Sequence, residues 1–270
     1  MVTIPKIIHQ TWKDTTIPDK WKKSEIEWKR HHPLSSGWQY ILWTDDDNRN
    51  LIKNDFPWFL DIYDNYPYPI QRVDTARYFI LYKYGGIYSD LDIYPIKPVD
   101  EYFTSDNESY FVVSSNYKCF TNSFMASKPK AEIWNHIFKK LCNNHINWFI
   151  RKFSKHFTIM LSTGPMMVNN VILSICNTKV TGVLPKGFMN YIIGENVNEN
   201  CLKKNTVLLP LKGSSWCSFD SHVLIFFNKN KSKLALLGIV SILIIIILLF
   251  VVLYKYINFK RLYKKCSKQI

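Results

Sequence analysis

The six cysteines of this 270-residue chain form no C-x-x-C pair and no zinc-ligand spacing. That excludes a redox dithiol and a zinc-stapled scaffold, and makes buried free thiols the expectation. No internal repeat is present, which excludes solenoids and propellers. Low complexity is absent too, since 16% of the residues are aromatic, and such a chain can bury a substantial core. The first residues, Met1–Lys6, carry no apolar h-region of the kind that marks a secretory signal. Acidic residues are missing altogether from Asn228 onward, where nine basic residues fall.

That last absence decides how the net charge of +14 is read. Before Asn228 there are 26 basic residues against 21 acidic ones, an excess of only five. The surplus flanks Leu234–Leu253, twenty residues without a charge, which at about 1.5 Å per residue would cross the roughly 30 Å of a bilayer core. Basic residues beside such a span contact lipid headgroups, so a lipid bilayer is the expected partner and nucleic acid is not. The expected organisation is a globular domain over 1–228, a basic linker over 229–233, a transmembrane helix over 234–254 and a basic tail over 255–270. Six basic residues after the span and three before it put the tail in the cytosol and the domain in a lumen. The missing h-region argues instead for a tail anchor with a cytosolic domain, and both orientations stay open. The sequons at Asn107 and Asn230 matter only in the lumenal case. Cys266, in the basic tail, is a palmitoylation candidate.

What the chain does contain is Tyr84-Gly85-Gly86-Ile87-Tyr88-Ser89-Asp90-Leu91-Asp92-Ile93-Tyr94-Pro95. Paired glycines, a β-prone run and two aspartates one residue apart predict a buried strand presenting carboxylates at its tip. Residues i and i+2 of a strand share a side, so Asp90 and Asp92 are expected to converge. Carboxylates held together repel unless a cation sits between them, and hard oxygen ligands suit Mg²⁺ or Mn²⁺. Solvated turn carboxylates are the plainer alternative.

A β-α-β-α alternation leads into this stretch: a strand around Ile7-Ile8, a helix over 19–30 capped by Asp19, a strand at Tyr40–Trp43 and a helix opened by Asp45, Asp46 and Asp47. The run 70–84 predicts a helix with Gly85 as its C-cap, carrying Asp74 and Arg77 three residues apart on one face. They read either as a surface ion pair or as part of a cleft shared with Asp90 and Asp92. Further on, Tyr110–Val113 predicts a strand, 131–142 a helix, Pro165 a helix start and Thr206–Leu211 a strand.

The segments IPKIIHQTWK, YILWTDDDN, IQRVDTARYFILYKYGGIYSDLDIYPIKP, NSFMASKP, STGPMM and KGSSW, in this order over about residues 3–220, resemble glycosyltransferase family 32. This DXD-motif family contains inositol phosphoceramide mannosyltransferases and initiating α-1,6-mannosyltransferases. The resemblance implies a GT-A (Rossmann-like) α/β fold and retaining transfer of a hexose, mannose from GDP-mannose, with Mn²⁺ or Mg²⁺ as cofactor. It implies that Asp92 binds the metal, that Asp90 contacts the metal shell and ribose or sugar, and that Asp74 and Arg77 hydrogen-bond the donor. Trp12 matches a position that stacks on the nucleotide base, an ordinary core tryptophan being the other reading. Gly213, Ser214, Ser215 and Trp216 match a loop near the diphosphate. Cys217 stands where the family commonly has His, and His222 is a candidate to take over its role. The implied acceptor is the sphingolipid inositol phosphoceramide, in the Golgi or another endomembrane. Alternatives are a protein-linked glycan as acceptor, a UDP-sugar as donor, or a silent sugar-binding membrane adaptor. Front-face and double-displacement mechanisms both stay open, and oligomeric state is not legible.

Overall fold

The computed structural model describes residues 3–103, 106–114, 119–144, 151–152, 154–175, 181–190, 206–211, 213, 220–221 and 230. The chain divides into two compact units, Met1–Trp216 and Cys217–Ile270. The apolar run 234–253 lies outside the described residues, among which no helix is long and apolar enough to cross a membrane.

Eight strands and seven helices are described in the first unit. The strands are β1 (Ile7–Thr11), β2 (Gln39–Trp43), β3 (Gly86–Ser89), β4 (Ile93–Pro95), β5 (Ser109–Val113), β6 (Phe120–Ser127), β7 (Thr181–Val183) and β8 (Leu208–Pro210). The helices are α1 (Asp19–His31), α2 (Asp45–Asp55), α3 (Leu60–Asp64), α4 (Pro69–Tyr84), α5 (Glu132–Cys142), α6 (Lys155–Ser162) and α7 (Pro165–Ser174). Six strands form one sheet in the order β2-β1-β3-β6-β5-β7, and β4 pairs with β8 in a second. The main sheet is mixed. β1 runs parallel to β2 and β3, β6 antiparallel to β3 and β5, and β7 parallel to β5. The short connection between β5 and β6 permits only an antiparallel return, whereas the helical crossovers from β1 to β2 and from β2 to β3 keep those strands parallel.

Period-two alternation gives each sheet face its own core. Tyr88, Phe111 and Met125 point to the layer built by α2, α4, α5 and α7. Ile87, Tyr110, Val112, Phe124 and Ala126 point to the opposite layer, with Trp28 of α1, Trp38 and Phe188. Apolar area removed from water on both faces is the main favourable term, at about 25 cal/mol per Å².

The element boundaries differ from expectation where caps decide them. Pro18, not Asp19, occupies the N-cap of α1, and the Asp19 carboxylate pairs with Lys22 at 2.7 Å. Thr44, not Asp45, caps α2: its side chain accepts from the Asp47 N–H while Asp47 accepts from the Thr44 N–H. This reciprocal pairing satisfies two donors at once. The strand expected over Thr206–Leu211 shortens to β8 and belongs to the small sheet, where it pairs with β4; bonds from the Ile96 N–H to the Val207 carbonyl and from the Leu211 N–H to the Asp92 carbonyl run past its two ends. Of the cysteines, Cys119 is half-buried and Cys142 exposed, both free, so the expectation of buried thiols fails at Cys142.

Two histidines tie the layers together as neutral rings. His9 Nδ1 accepts from Trp43 Nε1 at 3.1 Å, which leaves Nε2–H to donate to the Gly85 carbonyl at 3.0 Å. His32 Nε2 accepts from the Val99 N–H at 3.1 Å, and its Nδ1–H donates to the Trp28 carbonyl at 3.2 Å. Burial lowers each to about 4, with the backbone bond acting the other way. Unfolded histidines take up a proton near pH 6.5, the folded ones only near pH 4. The unfolded state therefore binds more protons in that window, and the stability these rings contribute above pH 6.5 is lost as pH falls through 4. Carboxylates titrate over the same range, so the informative quantity is a difference. His32→Gln is expected to flatten the fall in urea stability between pH 6.5 and 4 by up to one proton; slopes identical to the parent would sink this assignment.

Candidate active site

The site is organised by the end of α4. Pro69 starts this helix at a position that needs no N–H, and Gly85 and Gly86 end it with φ of 65° and 87°. At Gly86 a side chain would also meet the Ile7 carbonyl of β1. Paired glycines thus let the chain leave a buried helix and enter a buried strand with no intervening loop.

Asp90 and Asp92 sit at the tip of a buried strand, as expected, but in a turn just past it rather than on the strand itself. β3 ends at Ser89, the Asp90 N–H is taken by the Ser123 carbonyl at 2.9 Å, and the Ile93 N–H closes back on the Asp90 carbonyl at 3.0 Å. Leu91, buried at the tip, holds this turn in place. The Asp90 charge acts on Asp92, so the two carboxylates stay within electrostatic reach of each other across the turn.

Asp74 and Arg77 are buried, which rules out the surface-pair reading. Arg77 Nη2 lies 3.2 Å from Asp74 Oδ1, and its Nη1 lies 3.1 Å from Asp90 Oδ1. Nη1 also donates to the Asn122 carbonyl at 2.8 Å, and the guanidinium lies 4.6 Å over the Tyr88 ring. Asp74 is locked further by Asn122 Nδ2 (2.9 Å) and Thr163 Oγ1 (3.1 Å), one on each carboxylate oxygen. Tyr78 Oη accepts from Asn122 and donates to the Thr163 carbonyl. Tyr88 Oη donates to Asp90 at 2.9 Å and accepts from Thr11 at 2.7 Å. Thr11, Tyr78, Tyr88, Asn122 and Thr163 escape sequence reasoning as site residues. The segments NSFMASKP and STGPMM carry Asn122 and Thr163, but nothing local in them points at Asp74, 48 and 89 residues away.

The cluster is short of positive charge. Burial pushes Asp74 up to about 6, with Arg77 opposing. Burial and then the Asp90 charge push Asp92 up to about 7. Burial also raises Asp90, again against Arg77. Burial would lower Arg77, but the Asp90 charge and its neighbours outweigh it, so the guanidinium is firmly charged. Three carboxylates therefore share one buried cation, Arg77, and Lys20 adds only the weakest of the charges that act on Asp92. The Asp90 side chain keeps 30% of its surface accessible, so the deficit faces an opening. No cluster of three or more His, Cys, Asp or Glu side chains that could cage a metal occurs among the described residues. Two hard carboxylates suit Mg²⁺ or Mn²⁺, which keep waters and take substrate phosphates as their other ligands. The donor set fits such an ion.

Trp12 follows directly on β1, its N–H bonded to the Trp43 carbonyl at 2.9 Å. Its ring packs edge-on against the buried Trp21 at 5.1 Å and is itself half-buried. Gly213 lies against Asp92: a Cβ there would fall on the carboxylate oxygen. Gly213→Ala is expected to displace Asp92 and lower turnover on the order of 100-fold, the usual cost of misplacing a reacting group by about 1 Å. Steady-state rates at saturating donor check this, and near-parental turnover would count against a role for Asp92. Ser214, Ser215, Trp216, Cys217 and His222 lie outside the described residues.

Residues 18–110 match the family model described as a glycosyltransferase sugar-binding region containing a DXD motif. Inositol phosphoceramide mannosyltransferase 1 of Schizosaccharomyces pombe is 32% identical over 256 residues, covering 94% of this chain and 75% of that protein. A mannosyl phosphorylinositol ceramide synthase of Saccharomyces cerevisiae is 39% identical over 168 residues, 62% of this chain and 42% of its own length. Among solved structures, PaToxG glycosyltransferase aligns over 63% of this chain and 69% of its own at 17% identity and a TM-score of 0.46, too loose a likeness to bear on the fold. With its motif residues gathered at one buried, charge-deficient cluster and its identity to the fission-yeast protein sustained over three quarters of that relative, the chain belongs to the DXD-motif glycosyltransferases of family 32 and is a glycosyltransferase.

Proposed function

We propose that the chain transfers mannose, with retention, from GDP-mannose to the inositol headgroup of a phosphoceramide, on a GT-A-type domain anchored to a Golgi or other endomembrane by residues 234–254. The observation that carries the chemistry is the shared cation deficit of Asp74, Asp90 and Asp92 around Arg77. The acceptor and the sugar rest on the names of the relatives.

In this reading Asp92 and Asp90 hold Mn²⁺ or Mg²⁺. When bound, the ion supplies charge neutralisation for a departing nucleoside diphosphate. Everything else falls to the chain itself. Arg77 keeps a buried Nε–H without a partner, a donor left over for an oxygen of the sugar-diphosphate. Asp74, pinned at both oxygens, orients a sugar hydroxyl through its remaining lone pairs. With those oxygens committed it is a poor nucleophile, which favours departure and attack on the same face of the sugar. The half-buried Trp12 ring offers the base a platform, and Gly213 leaves backbone rather than side chain beside Asp92. Ser214, Ser215 and Trp216 complete the diphosphate end.

The test incubates the full chain, in bilayers containing inositol phosphoceramide, with Mn²⁺ and either GDP-mannose or a panel of UDP-sugars. Mannosylated lipid formed only from GDP-mannose is the expected product. Turnover with UDP-sugars alone overturns the donor, and transfer to a glycoprotein but not to lipid overturns the acceptor. Transfer that persists with an excess of chelator removes the metal. A glycosidase-sensitive mass at Asn107 supports the lumenal orientation; its absence from protein made in cells that glycosylate favours the cytosolic one.

A further inference from the structure

A second cavity, of about 430 Å³, lies on the α1 face of the sheet, on the far side from Asp74. Its floor is Gln10 of β1 with Tyr40 and Leu42 of the edge strand β2; Glu25 and Lys29 of α1 form a wall, and residues 15–17 a roof. Period two separates it from the donor cluster: Thr11 points toward Tyr88, while Gln10 points the other way.

Two buried polar atoms of its lining residues have no partner. Gln10 is 3% exposed, yet its Nε2 makes no hydrogen bond, and neither does the buried Tyr40 hydroxyl. A buried donor or acceptor left unsatisfied destabilises the fold, and two beside one cavity point to an absent ligand. The charges say what kind. Lys29 is already paired with Glu25 at 2.6 Å, and Lys22 with Asp19 at 2.7 Å. Both lining lysines are thus held by carboxylates, and Glu25 would repel an anion. The other polar groups are an amide donor, a phenol and the Thr15 and Thr16 hydroxyls, which donate or accept, and a carboxylate acceptor, beside the apolar sides of Leu42 and Ile17. Hydroxyl groups that both donate and accept, on a ring with an apolar C–H face, match that set, and the volume suits a small ligand.

We propose that this cavity is a binding site for a neutral polyhydroxylated ring, a hexose or an inositol, distinct from the donor site and independent of the acceptor assigned above. The ring would accept from Gln10 Nε2, exchange a hydrogen bond with Tyr40, and lie beneath residues 15–17, which follow Trp12 in the chain.

Saturation-transfer NMR on the full chain in detergent, without nucleotide, tests this with three probes: myo-inositol, methyl α-mannoside and inorganic phosphate. Saturable binding of one or both rings and none of phosphate is expected, and the stronger ring identifies the source. Gln10→Leu and Tyr40→Phe should each weaken binding about fivefold, the equivalent of one hydrogen bond. Asp92→Asn, which strips the donor site, should leave it unchanged. Tyr40→Phe should melt at or above the parent without ligand, since it removes an unsatisfied hydroxyl, and should lose the ring-induced rise in melting temperature. Binding of phosphate alone, no binding of either ring, ring binding indifferent to both cavity variants, or ring binding lost in Asp92→Asn would each overturn the proposal.

Discussion

Asp92→Asn is expected to lower transfer about 1,000-fold, the scale seen when a preorganised electrostatic contact is removed, while the protein stays as stable as the parent or becomes more so. The two halves follow from different atoms. What fixes the turn is backbone: the Asp92 carbonyl accepts from the Leu211 N–H at 2.6 Å, and Asn retains that bond. What the substitution removes is a carboxylate that burial and the neighbouring Asp90 already disfavour, its pKa pushed up to about 7. A carboxylate raised in this way destabilises the ion-free fold above that pH, so losing it relieves strain rather than creating it. Melting in chelator at pH 8 and turnover with Mn²⁺ should therefore move in opposite directions, or turnover alone should fall. The rise in melting temperature that Mn²⁺ produces in the parent should vanish. A variant that loses stability and activity together would make Asp92 a structural residue, and one that keeps full turnover would remove it from the site.

Much of the site was legible because its signals are local. Pro69 and the paired glycines bracket α4 within one window of sequence, and the three-residue spacing of Asp74 and Arg77 puts both on one face of it. Asp90 and Asp92 follow directly. The difference is instructive: alternation on a strand and a tight turn both bring i and i+2 together, and here the β3–β6 ladder runs one bond past Ser89, from the Asp90 N–H to the Ser123 carbonyl, before the Ile93 N–H closes a turn back on Asp90. Asn122 and Thr163 are invisible as ligands of Asp74, since their hydrogen bonds span the fold and leave no periodic trace. At α2 three acids in a row point to a cap among themselves, and the reciprocal bond between Thr44 and Asp47 moves it to the threonine before them. The position of β6 between β3 and β5 is likewise a pairing choice, and no periodicity encodes strand order.

Arg77→Met should be the most damaging single change to the fold of this domain. The arginine is 3% exposed and reaches Asp74, Asp90 and the Asn122 carbonyl with one planar group. Methionine fills much of the volume and supplies no donor, so the buried Asp74 and the half-buried Asp90 are left with no countercharge. Removing one partner of a buried ion pair costs about 3–5 kcal/mol, which for a domain of this size lowers the melting temperature by roughly 6–20 °C. Lysine is expected to fare little better, because a single ammonium cannot reproduce a fork that meets three acceptors. If uncompensated charge is the cause, the cure is to remove charge: Arg77→Met combined with Asp74→Asn should recover a large part of the lost stability. It should recover none of the activity, since the donor-facing N–H and the Asp74 carboxylate are then both gone. Equal destabilisation in the single and double variants would show that the arginine acts through packing, and a single variant as stable as the parent would show that the carboxylates of this site are not held by it.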